Sequence, residues 1–387
     1  MNILIETYHS PYLDGRVGGA ETSLKLIAEG LAKSGHVVIF LSKSNTKTWI
    51  GYKKLLVNNV KVVVFTKFKI GFLNFYKVKK ILKFFKNIYI QKHLKKTNVV
   101  HTYNNIGIVK YYAIQKSKYS YKLVVRMAGL KLFEDFETKP QLIPIYEKYF
   151  KAIDLFNFIS VGLKELVLQK KEEYNLKVDF EPFFIQDIGV NIRGLPEKNI
   201  QIKKQDVPFK IVMASRLSIY QKRQDILIKT MSLLKNEPIQ LTIIGNGSRE
   251  SYLLQLAKEL KVEDKISFKP FQKSIWNYLK EFDVLVHACD YEGLSKIIIE
   301  SMAVGLPVIC SDVLPMKNYI KNKENGFLTK NKPEAWAKTI TEAVQNQELL
   351  LEISKQAKVF AKQNYDSIQN IEVYNLQFNT LVKCAAS

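Results

Sequence analysis

Short runs of β-branched and aromatic residues alternate along this chain with amphipathic segments roughly 10 to 20 residues long, the pattern of repeated βαβ units around parallel sheets. In the first half, residues 2–8, 37–41, 60–65, 99–101, 123–125 and 155–160 read as strands, with helical patterns between them. A polar stretch at 196–208, which contains Glu197, Lys198, Lys203, Lys204 and Asp206 and shows no apolar periodicity, reads as a linker. Beyond it the strands are 210–214, 240–244, 266–268, 284–287 and 307–310, and from Lys332 onward the pattern is helical. At 387 residues the chain can bury two cores. The expectation is therefore two doubly wound α/β domains, 1–195 and 208–365, followed by a helix at 366–387.

The hydrophobic fraction of 47% and charged fraction of 25% belong to a globular chain, not to a disordered or fibrous one. No run reaches the ~18 apolar residues of a membrane span, and the first residues read as a buried strand instead of a signal peptide, which points to a cytoplasmic protein. Cys289, Cys310 and Cys384 are too few and too scattered for a disulfide framework or a metal site, so reduced thiols and no bound metal are expected. The net charge of +23 is unevenly placed. Residues 30–133 hold 22 Lys and Arg and no Asp or Glu, while the remainder holds 37 basic against 36 acidic residues. Such asymmetry suits an anionic surface or a large anionic partner. Residues 74–96 read as a helix with Val78, Ile81, Leu82, Phe85 and Tyr89 on one face and Lys79, Lys80, Lys83 and Lys86 on the other. Two readings compete there: a core-packed helix with a wet lysine side, or a docking face for an anionic membrane, where each lysine contributes about 1 kcal/mol.

Ligands of open α/β sheets bind beyond the carboxyl ends of the strands, so the loops after strands carry the chemistry. Gly18 and Gly19 open a helix after the first strand, where backbone N–H groups can approach a phosphate; a plain helix cap explains them equally well. Arg216 and Lys222, six residues apart after the strand 210–214, suit a diphosphate, Arg through its fork of donors and Lys as a mobile point charge. Glu292, Gly293, Leu294, Ser295 and Glu300 follow the strand 284–287. Ser295 reads as an N-cap and Gly305 as a C-cap, so a helix spans 296–304. Glu292 then lies in the loop and Glu300 in the helix, with the amides of Leu294 and Ser295 between two acids able to accept from sugar or ribose hydroxyls.

These residues occur in one order with Gly245 and Gly247, Pro270, the run from Glu300 to Ile309, and Asn325 to Leu328. That set resembles the retaining glycosyltransferases of family 4, densely from about Lys210 to Leu328 and more sparsely at Gly18, Gly35 and Gly189. The resemblance implies the GT-B fold: an N-terminal acceptor-binding and a C-terminal nucleotide-sugar-binding Rossmann-like domain facing across a cleft, with the last helix packing back toward the first. It further implies that Glu292, Arg216 and Lys222 serve catalysis. Gly18, Gly19, Arg216, Lys222, Gly245, Pro270, Gly293, Leu294, Ser295 and Glu300 are implied to hold the donor, Glu300 at its ribose and Glu292 at its sugar. No metal or other cofactor is implied, since side chains and amides neutralise the leaving diphosphate. Three departures from the family pattern stand out: Ala128 where a His is frequent, Leu294 and Ser295 where Phe-Gly is, and Arg223 where a glycine is.

Acceptor contacts are expected from His101, Asn104 and Arg126 in the first domain, although His101 reads also as a structural histidine and Asn104 as part of a turn. The expected activity is transfer of a hexosyl-type sugar from a UDP- or GDP-sugar to a saccharide acceptor, lipid-linked, in cell-surface polysaccharide biosynthesis, by an enzyme held on the inner face of the plasma membrane. Two alternatives stand beside it. One is a basic nucleic-acid-binding protein, which leaves both acids without a purpose and lacks a helix-turn-helix, zinc or RNP-like pattern, so no nucleic acid is expected. The other is an epimerase or phosphorylase on the same fold.

Overall fold

The computed structural model describes residues 1–13, 18–48, 51–68, 75–198, 202, 207–217, 220–272 and 275–384, with only the backbone described at 68, 75–82 and 277. The chain forms two compact units, Met1–Ile188 with Ser367–Ser387, and Gly189–Asp366. The division falls at 188, ahead of the expected 195. Residues 189–198 join the second unit, where Val190 N–H donates to the Tyr365 carbonyl at 2.9 Å and Lys198 N–H to the Val304 carbonyl at 2.8 Å.

The first unit is built on eight strands: β1 (Asn2–His9), β2 (Val37–Thr48), β3 (Tyr52–Val57), β4 (Val60–Phe68), β5 (Val99–Tyr103), β6 (Lys122–Met127), β7 (Leu155–Phe158) and β8 (Phe183–Ile185). They lie in the order β3-β4-β2-β1-β5-β6-β7-β8, parallel throughout except for the β3–β4 hairpin. Sequence reasoning missed β3 because lysines occupy it. Lys53 and Lys54 sit on a sheet edge, where charge discourages pairing with other chains, and Asn58 and Asn59 turn the hairpin with φ of 48° and 64°. The core beneath the sheet gathers Ile3, Ile5, Leu24, Ile27, Val62, Val99 and Val124 with Ile371, Tyr374 and Phe378 of the helix Ser367–Lys383.

A buried arginine ties that helix to the sheet. Arg126, 1% exposed on β6, donates to Asn157 on β7 at 2.8 Å and to the Tyr374 hydroxyl, and forms an ion pair with Asp187. The Tyr374 hydroxyl donates in turn to the Gln186 carbonyl at 2.7 Å. His101 on β5 lies beside this network, its ring 5.4 Å from that of Phe378, and burial together with the Arg126 charge pulls it down to about 3.

The lysine-rich helix runs from Phe75 to Leu94, and its orientation corrects the expected division of faces. Ile90 and Leu94 are buried, while Phe84, Phe85 and Ile88 are 62%, 56% and 48% exposed. Lys86 points inward to an ion pair with Glu6 of β1, whose other carboxylate oxygen accepts from Tyr112 at 2.5 Å. A carboxylate buried on β1 requires a counter-charge, and that requirement outranks the apolar periodicity in setting the rotation of the helix. The side chains of Val78, Lys79, Lys80, Ile81 and Leu82 lie outside the described residues.

The second unit carries β9 (Phe209–Ala214), β10 (Ile239–Ile244), β11 (Ile266–Lys269), β12 (Val284–His287), β13 (Val308–Ser311) and β14 (Phe327–Thr329), all parallel, in the order β11-β10-β9-β12-β13-β14. The five strands read from the sequence before residue 311 are all present. The strand order reverses between β9 and β12, which makes their carboxyl ends the topological switch point where such sheets bind ligands.

Removing the Arg126 guanidinium leaves Asp187 buried without its counter-charge. Arg126→Leu is expected to lower the unfolding free energy by about 3–5 kcal/mol, read from urea denaturation midpoints. A midpoint equal to wild type would show that the network contributes nothing to the first unit.

Candidate functional site

The loops that leave β9 and β12 are stitched together by backbone hydrogen bonds. Arg223 N–H donates to the Ala288 carbonyl at 3.1 Å, Asp290 N–H to the Gln221 carbonyl at 3.0 Å, and Lys222 faces Cys289 as an isolated antiparallel bridge. Arg223, where the family pattern has glycine, reinforces the seam through ion pairs with Asp225 and with Asp290 at 2.9 Å. The seam fixes where Lys222 points. Its ammonium forms an ion pair with Glu292 and lies 3.1 Å from His287 Nε2. Two sequence-predicted residues, seventy positions apart, are therefore in direct contact.

Burial pulls the Lys222 amine down to about 8, with the Cys289 thiol opposing that pull and the nearby Arg216 guanidinium adding to it. The Glu292 carboxylate is the counter-charge that faces the ammonium. His287 closes the carboxyl end of β12, 1% exposed and held well below its ordinary value by burial and then by Lys222, so its imidazole is neutral. Its Nε2 also lies 3.4 Å from Glu292 Oε2 and 3.4 Å from Ser295 Oγ. Sequence reasoning gave this histidine no role. The available signal was its place as the last residue of a strand that ends at the switch point.

The helix Lys296–Val304 starts and stops where its capping residues demand. Ser295 occupies the N-cap position in an extended conformation, and its hydroxyl faces His287 instead of closing the cap. Gly305 ends the helix at φ 90°, a left-handed conformation that a side chain would strain, and returns its N–H to the Ser301 and Met302 carbonyls. Gly293, Leu294 and Ser295 are buried ahead of the helix, whose N-terminus carries positive potential. Glu300 sits one turn after Lys296. Burial pushes its carboxyl up to about 8, against a downward pull from Lys296.

Arg216, just past β9, is exposed, and among the described residues no carboxylate pairs with its guanidinium. Gln224 Nε2 donates to its carbonyl at 3.0 Å and holds the backbone. Gly245 follows β10 at a place where backbones cross, and a Cβ there would lie 1.9 Å from the Ser215 carbonyl oxygen. Its glycine is explained by the packing of the β9 and β10 loops. Pro270 is exposed at the end of β11, the edge strand of the sheet. The structure thus gathers Lys222, Glu292 and Ser295 around His287, with Arg216 close enough to act on Lys222. Pro270 stands at the sheet edge.

In the first unit, Gly18 is the N-cap of the helix Gly19–Lys33, and a Cβ on it would lie 2.8 Å from Glu21 Oε2. A carboxylate already stands at this helix start, while Gly19 has open space around it. His101 is fully buried, and Asn104 is 4% exposed with Nδ2 donating to the Gly129 carbonyl at 3.4 Å. With Arg126 held in its network, all three expected acceptor residues are turned into the core of the first unit. Asn105 caps the next helix, its Oδ1 accepting from Ile108 N–H at 3.2 Å.

The end of β12 and the loop after it also bring three further groups together. One ligand atom each from His287, Cys289 and Glu292 lies within 4.8 Å of the others. The cation in contact with two of them is the Lys222 ammonium. Burial pushes the Cys289 thiol up to about 11, so it stays protonated and is a poor nucleophile.

The raised Glu300 pKa fixes a sign. A carboxyl that holds its proton more tightly when folded contributes stability that is present at low pH and is lost between its ordinary 4.5 and about 8. Wild type is expected to lose stability relative to Glu300→Gln across that window, with a constant difference above it, in urea midpoints measured from about pH 4 to about pH 9. A difference that grew toward acid would contradict the assignment.

Residues 196–360 match the family described as Glycosyl transferases group 1. An uncharacterised glycosyltransferase of Haemophilus influenzae is 32% identical over 142 residues, covering 36% of this chain and 40% of that protein. An uncharacterised glycosyltransferase of Methanocaldococcus jannaschii is 25% identical over 98% of both chains. The N-acetylgalactosamine-N,N'-diacetylbacillosaminyl-diphospho-undecaprenol 4-alpha-N-acetylgalactosaminyltransferase of Campylobacter jejuni is 26% identical over 60% of this chain and 64% of its own. The chain thus spans under half of the first relative, under two thirds of the Campylobacter one and nearly all of the archaeal one. Among solved structures, sucrose-phosphate synthase from Thermosynechococcus elongatus superposes with a TM-score of 0.80 at 16% identity over 100% of both chains, and Anabaena HepE in complex with UDP and glucose with 0.76 at 18% over 98% of this chain and 100% of that one. Two parallel-sheet units and these likenesses agree that the fold is GT-B, and residues 196–360, within the second unit, are similar to the group 1 glycosyltransferases.

Proposed function

We propose that the protein is a retaining glycosyltransferase of the family 4 type, which moves a hexosyl sugar from a UDP- or GDP-sugar to a lipid-linked saccharide in the building of a cell-surface polysaccharide. The observation that carries this reading is the Lys222 ammonium held against Glu292 at the β9/β12 switch point, beside the start of the helix that bears Glu300. Lys222, Arg216 and the amides ahead of Lys296 offer positive charge to a diphosphate. Glu300 faces the ribose hydroxyls, and Glu292 turns to the sugar once the donor phosphate takes over the ammonium. The bond from the anomeric carbon to the phosphate oxygen breaks as the bond to the acceptor oxygen forms on the same face, and the leaving phosphate oxygen accepts the acceptor's proton. The protein's part is to stabilise separating charge, and side chains and amides supply it without a metal ion.

The acceptor class is supported by relatives. The Campylobacter jejuni enzyme is named for a diphospho-undecaprenol substrate, and an Escherichia coli relative is named as an O-antigen biosynthesis glycosyltransferase. Among the described residues no helix is long and apolar enough to cross a membrane. Phe84, Phe85 and Ile88 stand exposed beside the exposed Lys83, on a region that holds 22 cations and no acid. That combination suits peripheral binding to an anionic inner leaflet.

Free UDP or GDP is expected to appear only when a saccharide acceptor is supplied, and Lys222→Ala or Glu300→Ala is expected to lower that release by at least about 100-fold with the folded circular dichroism spectrum retained. Unchanged turnover in both variants would remove the site. In flotation at low salt, the protein is expected to rise with anionic vesicles and stay down with neutral ones; equal behaviour with both would remove the membrane reading.

A further inference from the structure

His287 is a buried imidazole with an unexplained cost. The other three residues of β12 are Val284, Leu285 and Val286, and an apolar side chain would complete that strand. Instead the position holds a ring whose Nδ1 is buried and, among the described residues, has no hydrogen-bond partner. Unsatisfied buried polar atoms are rare in folded chains and call for a compensating role. The compensation lies on the other side of the ring, where Nε2 is 3.1 Å from Lys222 Nζ.

We propose that His287 is a positioning residue for Lys222: its neutral imidazole accepts one ammonium proton and thereby aims the lysine at the donor phosphate. The inference rests on the nucleotide-sugar reading of the site. An ammonium has three N–H donors and no acceptor. One is taken by His287 Nε2 and one by Glu292, which leaves a single donor directed by the other two. The contact requires Nε2 to be the unprotonated nitrogen, so the ring proton resides on Nδ1. When a phosphate draws Lys222 from Glu292, the histidine contact persists, and the ammonium moves by rotation about a fixed partner instead of swinging free. Ser295 Oγ, 3.4 Å from the same nitrogen, faces the ring from the start of the helix, so one atom references both the lysine and the amides that meet the phosphate. The contact with Lys222, with Ser295 Oγ facing the same nitrogen, is what distinguishes this role from filling space.

Two measurements on the full-length protein test the proposal, with His287→Leu as the variant that removes the acceptor and His287→Gln as the one that restores an oxygen near the position of Nε2. The first is the pH dependence of Lys222 acetylation by acetic anhydride, followed by mass spectrometry. The midpoint is expected to fall by about one unit or more in His287→Leu, because the charged amine loses an acceptor, and to return toward wild type in His287→Gln. The second is UDP and GDP affinity by calorimetry, expected to weaken roughly tenfold in His287→Leu, the order of one lost charge-assisted hydrogen bond, and much less in His287→Gln. An acetylation profile unchanged in His287→Leu overturns the inference whatever the nucleotides do. Loss of both properties in Leu and Gln alike, with native melting, also overturns it, since only packing would then matter. A shifted profile in a protein that binds neither nucleotide supports the His287–Lys222 contact and sinks the donor-site reading instead.

Discussion

A lysine can be buried at the edge of a sheet only if something nearby accepts its charge, and in the second unit that demand is met by Glu292 and His287 at the carboxyl end of β12. The surrounding architecture serves the arrangement. The strand order reverses between β9 and β12, so the loops that leave them lie side by side, and their backbone seam sets the direction of Lys222. Gly245 lets the β10 loop approach the β9 loop more closely than any side chain would allow. Gly305 ends the following helix in time for β13 to return to the sheet. A buried cation paired in this way is a poised group. Its partner can be exchanged for a phosphate with little change in solvation, which is the property a diphosphate-binding enzyme needs.

The first unit shows the same rule used for structure instead of chemistry. Glu6 is buried on β1 and draws Lys86 inward from a helix whose Lys83 and Lys92 are exposed. Arg126 is buried on β6 and joins two strands, the segment after β8 and the last helix of the chain. The final helix thereby belongs to the first unit although the chain reaches it from the second. Its Tyr374, Ile371 and Phe378 complete a core that the earlier residues leave open.

Strands rich in Val and Ile were legible in the sequence because a parallel sheet covered on both faces needs continuous apolar runs. The Lys-bearing β3 was not, since an edge strand has no such need, and β8, with three residues, is too short to show a period. In the site, Lys222, Glu292 and Glu300 stood out through their places after strands and their family-like order. His287 did not, because a buried histidine looks the same in sequence whether it fills space or holds a lysine. Arg126, His101 and Asn104 were visible as polar residues at strand ends, yet only tertiary contacts show that they face inward. The helix Phe75–Leu94 was found by its apolar spacing, while its rotation followed a single long-range ion pair that no local pattern encodes.

The central claim is that the buried ammonium at the switch point is the seat of a nucleotide diphosphate. A crystal structure of the full-length protein with UDP or GDP tests it most directly. The account predicts a diphosphate oxygen within hydrogen-bond distance of Lys222 Nζ and of the amides ahead of Lys296, with Glu292 released from the lysine. A nucleotide bound elsewhere, with Lys222 still joined to Glu292, would contradict it.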